Sequence, residues 1–171
     1  MFTPECPFRL LFLGQVTLRK GIGLLFEALR LLPDMPLRLD IVGPIQVEVP
    51  DWIRRDPRVC FHGAVPRGEA GAFYRQADLF LFPTLSDGFG MTQLEALAAS
   101  VPVIATRFCG DVVRDGVNGR VLPSAEPADL AQVIRELSLD RAQLSRLQGN
   151  AYLEERFHLD PIGKRYEDLM Q

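Results

Sequence analysis

The sequence is poor in the residue types that build metal centres and disulfide frameworks. Its 171 residues include three cysteines and two histidines, and no two cysteines form a CxxC pair. Cysteines this far apart, at positions 6, 60 and 109, form neither a disulfide framework nor a zinc-binding pattern, and they suit a reducing compartment. With only His62 and His158 available, a histidine-based metal cluster is nearly excluded. We therefore expect a cytoplasmic protein without a histidine-built metal site.

The chain also lacks an excess of positive charge and a long apolar run. The 19 Lys and Arg against 22 Asp and Glu give a net charge of −3, which argues against nucleic acid as a primary partner. No apolar run approaches the ~20 residues of a transmembrane helix. The first seven residues hold two prolines and no apolar core, so no signal peptide is predicted. This composition predicts a single soluble domain over residues 1–171.

What the chain does contain is a regular alternation of apolar runs and helical patterns. Strands are predicted at 9–14, 37–43, 58–63, 79–83, 102–106 and 120–122, after a short irregular lead at 1–8. Helices are predicted at 21–32, 69–77, 91–99 and from 127 to about 157, with a last amphipathic helical segment within 158–171. Because no hairpin signal joins neighbouring strands, the pattern indicates an α/β, Rossmann-like, doubly wound parallel sheet with helices on both faces.

One stretch, residues 84–99, combines the features of a ligand site. It follows the fourth strand and places Gly88 and Gly90 around Phe89, just before a predicted helix. Glycines allow a positive φ and a close approach of the backbone to a ligand. The first N–H groups of a helix suit phosphate or sugar hydroxyls. Carboxylates stand on either side of the helix start, at Asp87 and Glu95.

The expected strand order places a second loop opposite this stretch. In a sheet of order 3-2-1-4-5-6, ligands bind beyond the carboxyl ends of strands 1 and 4, where the winding reverses. The loops 14–20 and 84–90 should therefore face each other across one crevice. Lys20 and Arg19 would lie on one wall, and Asp87, the amides of residues 88–92 and Glu95 on the other. Cations and amides suit a diphosphate and carboxylates suit sugar hydroxyls, so a nucleotide-sugar satisfies both.

Two other phosphate-binding patterns fit the sequence poorly. A GxG occurs at 21–23, but Phe26 stands where a dinucleotide-binding fingerprint has its third glycine, and a full loop separates the GxG from the strand. A P-loop is absent, because no GxxxxGK[ST] occurs.

At these residues the sequence resembles the C-terminal, donor-binding domain of family-4 retaining glycosyltransferases of the GT-B fold. The most specific part of the match is SDGFGMT at 86–92, followed by EALAA at 95–99 and VPVIA at 101–105. Further matching segments are FLG at 12–14, KGI at 20–22, LDIVG at 39–43, VCFHG at 59–63, ADLFLFP at 77–83 and DGVNG at 115–119. The match covers most of the chain.

The resemblance implies half of a GT-B enzyme that transfers a sugar from a nucleoside diphosphate donor, with retention and without a metal or cofactor. It assigns Glu95 to the ribose hydroxyls, Asp87 to the donor sugar and Lys20 to the diphosphate. The amides around Phe89, Gly90 and Met91 would contact the sugar and distal phosphate, with Thr92 nearby. The backbone near residues 60–62 would border the base. The partner is an N-terminal acceptor-binding domain, in cis or in trans, against which the segment 158–171 would pack.

Three positions depart from the family pattern and support an alternative. Gln15 stands where the family usually has an arginine, with Arg19 as the nearest substitute. Asp87 is one methylene shorter than the usual glutamate, and the glycine-rich turn after the fifth strand is replaced by residues 107–111. The first hypothesis is a donor-binding half that binds a UDP- or GDP-sugar and transfers nothing alone. The alternative is a degenerate, non-catalytic module that acts in assembly or regulation.

Overall fold

The fold is a single six-stranded parallel sheet with helices on both faces. The computed structural model describes residues 2–158. Its strands are β1 (Phe8–Leu13), β2 (Leu37–Val42), β3 (Val59–Gly63), β4 (Leu79–Phe82), β5 (Val103–Ala105) and β6 (Gly119–Val121). Its α-helices are α1 (Ile22–Arg30), α2 (Asp51–Arg54), α3 (Ala70–Gln76), α4 (Met91–Ala98), α5 (Pro127–Leu139) and α6 (Arg141–Gly149).

The strand order is β3-β2-β1-β4-β5-β6, and every neighbouring pair is parallel. The predicted order and fold class are therefore confirmed. The central strands are apolar on both faces because both faces are covered, as β4 shows with all four of its residues buried. The winding reverses between β1 and β4, where Leu10 pairs with Leu79.

Two hydrophobic clusters lie on opposite faces of the sheet. Phe8, Leu10 and Phe12 of β1 point into a cluster formed with α1, α2, α5 and α6. Leu11, between them in the sequence, points to the other cluster, which includes side chains of α3 and α4. The alternation along β1 follows from the two-residue period of a strand. The helices α3 and α4 thus cover one face, and the other four helices cover the opposite face.

The two helices at the reversal point both begin after a glycine in the left-handed conformation. Gly21 precedes α1 with φ 77° and Gly90 precedes α4 with φ 75°. A Cβ on Gly21 would lie 1.8 Å from the carbonyl oxygen of Pro83, and one on Gly90 would lie 2.6 Å from Phe82. Only glycine fits at these two positions. Both glycines hold the carboxyl end of β4 against the starts of α1 and α4.

The helical prediction for 127–157 was wrong in its extent. The segment contains α5, α6 and a 3₁₀ turn, Glu155–Phe157. Asp140 interrupts the first two with φ −100° and ψ 84°, and its carboxylate accepts a hydrogen bond from the Gln143 N–H at 2.8 Å. Asp140 therefore begins a new helix. The predicted helix at 69–77 is confirmed as α3, which a 3₁₀ turn, Arg67–Glu69, precedes.

The predicted terminal helix within 158–171 lies outside the described residues, apart from His158 itself. Within residues 2–158, no helix is both long enough and apolar enough to cross a bilayer.

Candidate functional site

Two loops meet at the carboxyl ends of β1 and β4, as the topology predicts. Hydrogen bonds join them directly, since the Leu85 N–H and the Thr84 hydroxyl both donate to the Arg19 carbonyl, at 2.8 and 3.1 Å. The Arg19 guanidinium donates to the Ser86 carbonyl at 2.8 Å. Arg19 thus ties the loops together, and its side chain is partly engaged by this bond.

Lys20 and Asp87 form an ion pair between these loops. The Lys20 ammonium donates a hydrogen bond to Oδ2 of Asp87. Only 18% of the lysine side chain and 14% of the aspartate side chain are exposed. The ammonium also lies 5.5 Å from the centroid of the Phe82 ring. The sequence placed these residues on opposite walls of a crevice, and in the structure the two walls touch here.

The backbone from Gly88 to Thr92 carries a row of free hydrogen-bond donors. Across the part of the chain that the structure describes, none of the N–H groups of residues 88–92 has a hydrogen-bond acceptor. The row ends at Gln93, whose N–H donates to the Gly90 carbonyl at 3.0 Å. Free N–H groups at a helix start combine with the positive end of the helix dipole. This row can bind an anion.

Thr92 and Glu95 face a cavity at the carboxyl ends of β1, β2 and β3. The cavity has a volume of about 300 Å³ and is also lined by Gln15 and Arg67. Its walls include the backbone of Gly14 and Gly43 and the apolar side chains of Leu13, Val42, Pro44, Ala64, Val65 and Ala70. The mixture of an apolar pocket and a few polar groups is typical of a small-molecule site.

The cavity reaches the chain just beyond β3 and not within it. Its lining includes Ala64 and Val65, whereas residues 60–62 do not contribute. His62 instead pairs with Asp40 at 2.7 Å and packs edge-on against Phe73, with ring centroids 4.8 Å apart. These contacts are those of a structural residue at the end of β3.

Tyr74 is a site residue that the sequence reasoning missed. Its hydroxyl donates to Oε2 of Glu95 at 2.9 Å and lies 3.3 Å from the Thr92 carbonyl. Burial and, secondarily, the Glu95 carboxylate raise the pKa of Tyr74. Its hydroxyl therefore stays protonated and acts as a donor. A buried tyrosine needs a partner for its hydroxyl, and this need was the available signal.

Gln93 is a second residue that was missed. Its side chain is fully buried, and its amide nitrogen donates to the Phe89 carbonyl at 3.0 Å. The amide oxygen is 3.8 Å from the thiol of Cys109, whose pKa is raised mainly by burial. Gln93 thereby fixes the glycine loop to the segment after β5. A polar residue on the buried face of α4, beside Ala96 and Leu97, was its signal in the sequence.

Phe89 packs against Phe157 and Gly110, although 41% of the residue is exposed. Its ring lies 5.8 Å from that of Phe157, and a Cβ on Gly110 would come within 2.8 Å of it. Asp87 is also tied to the segment 107–111, since its N–H donates to the Phe108 carbonyl at 2.9 Å. The loop after β5 thus supports the glycine loop, although its sequence departs from the family pattern. Gly90, and not Asp87, is the N-cap residue of α4.

The segment 7–140 of the chain matches the sequence model of the family described as glycosyl transferases group 1. The matched segment runs from the start of β1 to the end of α5 and includes both loops and the cavity lining. The chain belongs to the group 1 glycosyltransferases. The resemblance given by the 86–99 motif is confirmed at the level of the family and the fold.

Curated relatives are longer proteins of which this chain matches one part. It is 33% identical over 152 residues to a D-inositol 3-phosphate glycosyltransferase of Arthrobacter sp. (strain FB24), covering 81% of this chain and 36% of that protein. An uncharacterized glycosyltransferase of Methanocaldococcus jannaschii is 31% identical over 131 residues, with coverage of 74% and 37%. The chain thus spans little more than a third of the length of these relatives.

Solved structures show the same fold. Anabaena HepE in complex with UDP-glucose matches with a TM-score of 0.81 at 21% identity, over 98% of this chain and 49% of that one. The C-terminal domain of a group 1 family protein, LpcC of Francisella tularensis, matches with a TM-score of 0.72 at 22% identity, over 93% and 86%. The group 1 chain described here therefore has the fold of one half of a GT-B protein.

Proposed function

We propose that this chain is the donor-binding half of a retaining glycosyltransferase, which transfers a hexosyl group from a nucleoside diphosphate sugar. The observation that carries the proposal is the row of free N–H groups at residues 88–92, beside the Lys20 ammonium. A diphosphate is the ligand that such a row and a cation bind together. Anabaena HepE, which has the same fold, was solved in complex with UDP-glucose, and this supports the ligand class.

Different polar residues of the site would contact different parts of such a donor. Lys20 and the amides of residues 88–92 would bind the diphosphate, with Phe89, Gly90 and Met91 closest to the distal phosphate and sugar. Glu95 would accept hydrogen bonds from the ribose hydroxyls, because it faces the cavity one turn into α4. Asp87 would accept a hydrogen bond from a hydroxyl of the donor sugar once Lys20 turns to the phosphate.

The diphosphate leaving group carries the developing negative charge in such a transfer. Lys20 and the positive end of α4 would stabilise this charge, which is the work of a metal ion in other transferases. We therefore expect the transfer to proceed without a metal ion. Retention of the anomeric configuration rests on the resemblance of the motif around residues 86–95.

The other half of the active site would come from an acceptor-binding domain, in cis or in trans. The chain covers about half of the HepE structure and about a third of its curated relatives. We therefore expect the 171-residue chain to bind a donor and to transfer nothing by itself. A cytoplasmic site of action stays a prediction.

A thermal-shift and calorimetric panel tests the proposed function. The ligands are UDP, GDP and ADP, their hexose conjugates, and the matching monophosphates. One diphosphate and its conjugate should bind, and at 100 times the dissociation constant should stabilise the fold by about 2.7 kcal/mol. The monophosphate should bind more weakly, because it lacks the distal phosphate. If no nucleotide shifts the melting temperature at millimolar levels, the donor-binding proposal fails and the non-catalytic alternative is favoured.

A further inference from the structure

Glu95 lies between two openings, and nothing on its own helix fixes which one its carboxylate faces. One opening is the 300 Å³ cavity shared with Gln15 and Thr92. The other is a groove of about 460 Å³ between α3 and α4, lined by Tyr74 and Arg75 as well as Glu95. A glutamate side chain has several rotamers, and ordering it costs conformational entropy. A contact from outside α4 is needed to hold it in one orientation.

Tyr74 supplies this contact from α3. Its side chain is 2% exposed, and its ring packs against Phe80 with centroids 5.5 Å apart. The rigid ring places the hydroxyl at 2.9 Å from Oε2 of Glu95 and at 3.3 Å from the Thr92 carbonyl. The same hydroxyl therefore touches both the carboxylate and the first turn of α4.

The bond from Tyr74 leaves half of the carboxylate free. Among the hydrogen bonds of residues 2–158, Oε2 of Glu95 has the tyrosine hydroxyl as its partner, and none reaches Oε1. A carboxylate is acceptor-only when ionised and has capacity on both oxygens.

We infer that Tyr74 is a positioning residue for ribose recognition, which holds Oε2 of Glu95 so that Oε1 can accept from a ribose hydroxyl. This inference rests on the proposed function, because it assumes that the cavity binds a nucleoside diphosphate. It adds a residue from α3 to a site that the sequence motif places on α4 and the glycine loop.

The test compares Tyr74→Phe with the parent chain for binding of a ribonucleotide and its 2′-deoxy counterpart by calorimetry. The pairs are UDP with 2′-deoxy-UDP and GDP with 2′-deoxy-GDP. The parent should prefer the ribonucleotide by about tenfold, the effect of one hydrogen bond to a charged group. In Tyr74→Phe this ratio should fall below about threefold, while affinity for the deoxynucleotide stays nearly unchanged. Tyr152→Phe, at an exposed position, is the matched control and should keep the full ratio.

The outcomes separate the inference from the proposed function. If the parent binds neither ribonucleotide, the proposed function fails first. If the parent shows the ribose preference and Tyr74→Phe keeps it, the inference is overturned. Equal weakening of both nucleotides in Tyr74→Phe also overturns it, because that result indicates a structural effect only.

If Tyr74→Phe lowers the melting temperature strongly, a double variant provides a second test. Adding Glu95→Gln removes the carboxylate that the phenylalanine would leave unsatisfied. Glu95→Gln alone should lose the ribose preference, and the double variant should lose no more than that. A further loss in the double variant would show that Tyr74 acts independently of Glu95, and would contradict the inference.

Discussion

Lys20→Met should remove most of the affinity for a nucleoside diphosphate and leave the affinity for the nucleoside nearly unchanged. Lys20 pairs with Asp87, which directly precedes the free N–H groups of residues 88–92 where a diphosphate would bind. Hydrogen bonds to charged groups contribute about 1.5–3 kcal/mol, so we expect a loss of about 10- to 150-fold in affinity. Methionine keeps an unbranched side chain of similar length and removes the charge. Calorimetry with the diphosphate and the nucleoside measures both affinities.

Arg107→Met is the matched control for Lys20→Met. Arg107 is an exposed cation on the neighbouring loop, and its guanidinium donates to the Pro123 carbonyl at 3.1 Å. Screening by solvent and salt reduces the effect of such an exposed charge. Its loss should change the affinity by less than about threefold. A Lys20→Met variant that binds the diphosphate as well as the control does would remove Lys20 from the phosphate site.

Asp87→Asn should have opposite effects on two ligands. The Asp87 carboxylate pairs with the Lys20 ammonium. It therefore competes with a phosphate for this cation. Asparagine removes the competing charge, and the free diphosphate should bind about 3- to 10-fold more tightly, from roughly 1 kcal/mol of ion pairing. The additional affinity from the donor sugar should fall, because asparagine is a poorer acceptor for its hydroxyl.

Measuring both the free diphosphate and the sugar donor distinguishes competition for Lys20 from a general loss of structure. Asp111→Asn, in the segment after β5, neutralises a nearby carboxylate that has no contact with Lys20 among the described residues. It should change both affinities little. If Asp87→Asn weakens binding of the free diphosphate, Asp87 does not compete with phosphate for Lys20, and its role at the site must be revised.

The fold could be predicted because the signals for it are local. Each central strand is a short apolar run, and each helix shows its period or its punctuating glycine or proline. The order of the strands comes from a known doubly wound pattern, which an alternation of apolar runs and helices favours. The break at Asp140 was missed although its signal is local too, since Asp140 and Gln143 have the spacing of a capping box. The long apolar periodicity on either side of it outweighed this signal.

The position of the site could be predicted, but its internal contacts could not. Topology alone places loops 14–20 and 84–90 together. The ion pair of Lys20 with Asp87 and the hydrogen bond of Tyr74 with Glu95 join residues that are 67 and 21 positions apart. Such contacts depend on side-chain rotamers and on the packing of α3 against α4, which no local pattern in the sequence specifies.

The most direct test of the account is to map the bound nucleotide on the 171-residue chain by amide chemical shifts. The nucleoside diphosphate that binds in the panel is titrated into ¹⁵N-labelled protein. We predict that the largest shifts cluster at residues 88–92, at Glu95 and at residues 14–21. The apolar cavity of about 360 Å³ near the amino ends of the strands, lined by Met35 and Leu139 among others, should show no shifts. Binding with shifts confined to that cavity, or spread away from the glycine loop, would contradict the account.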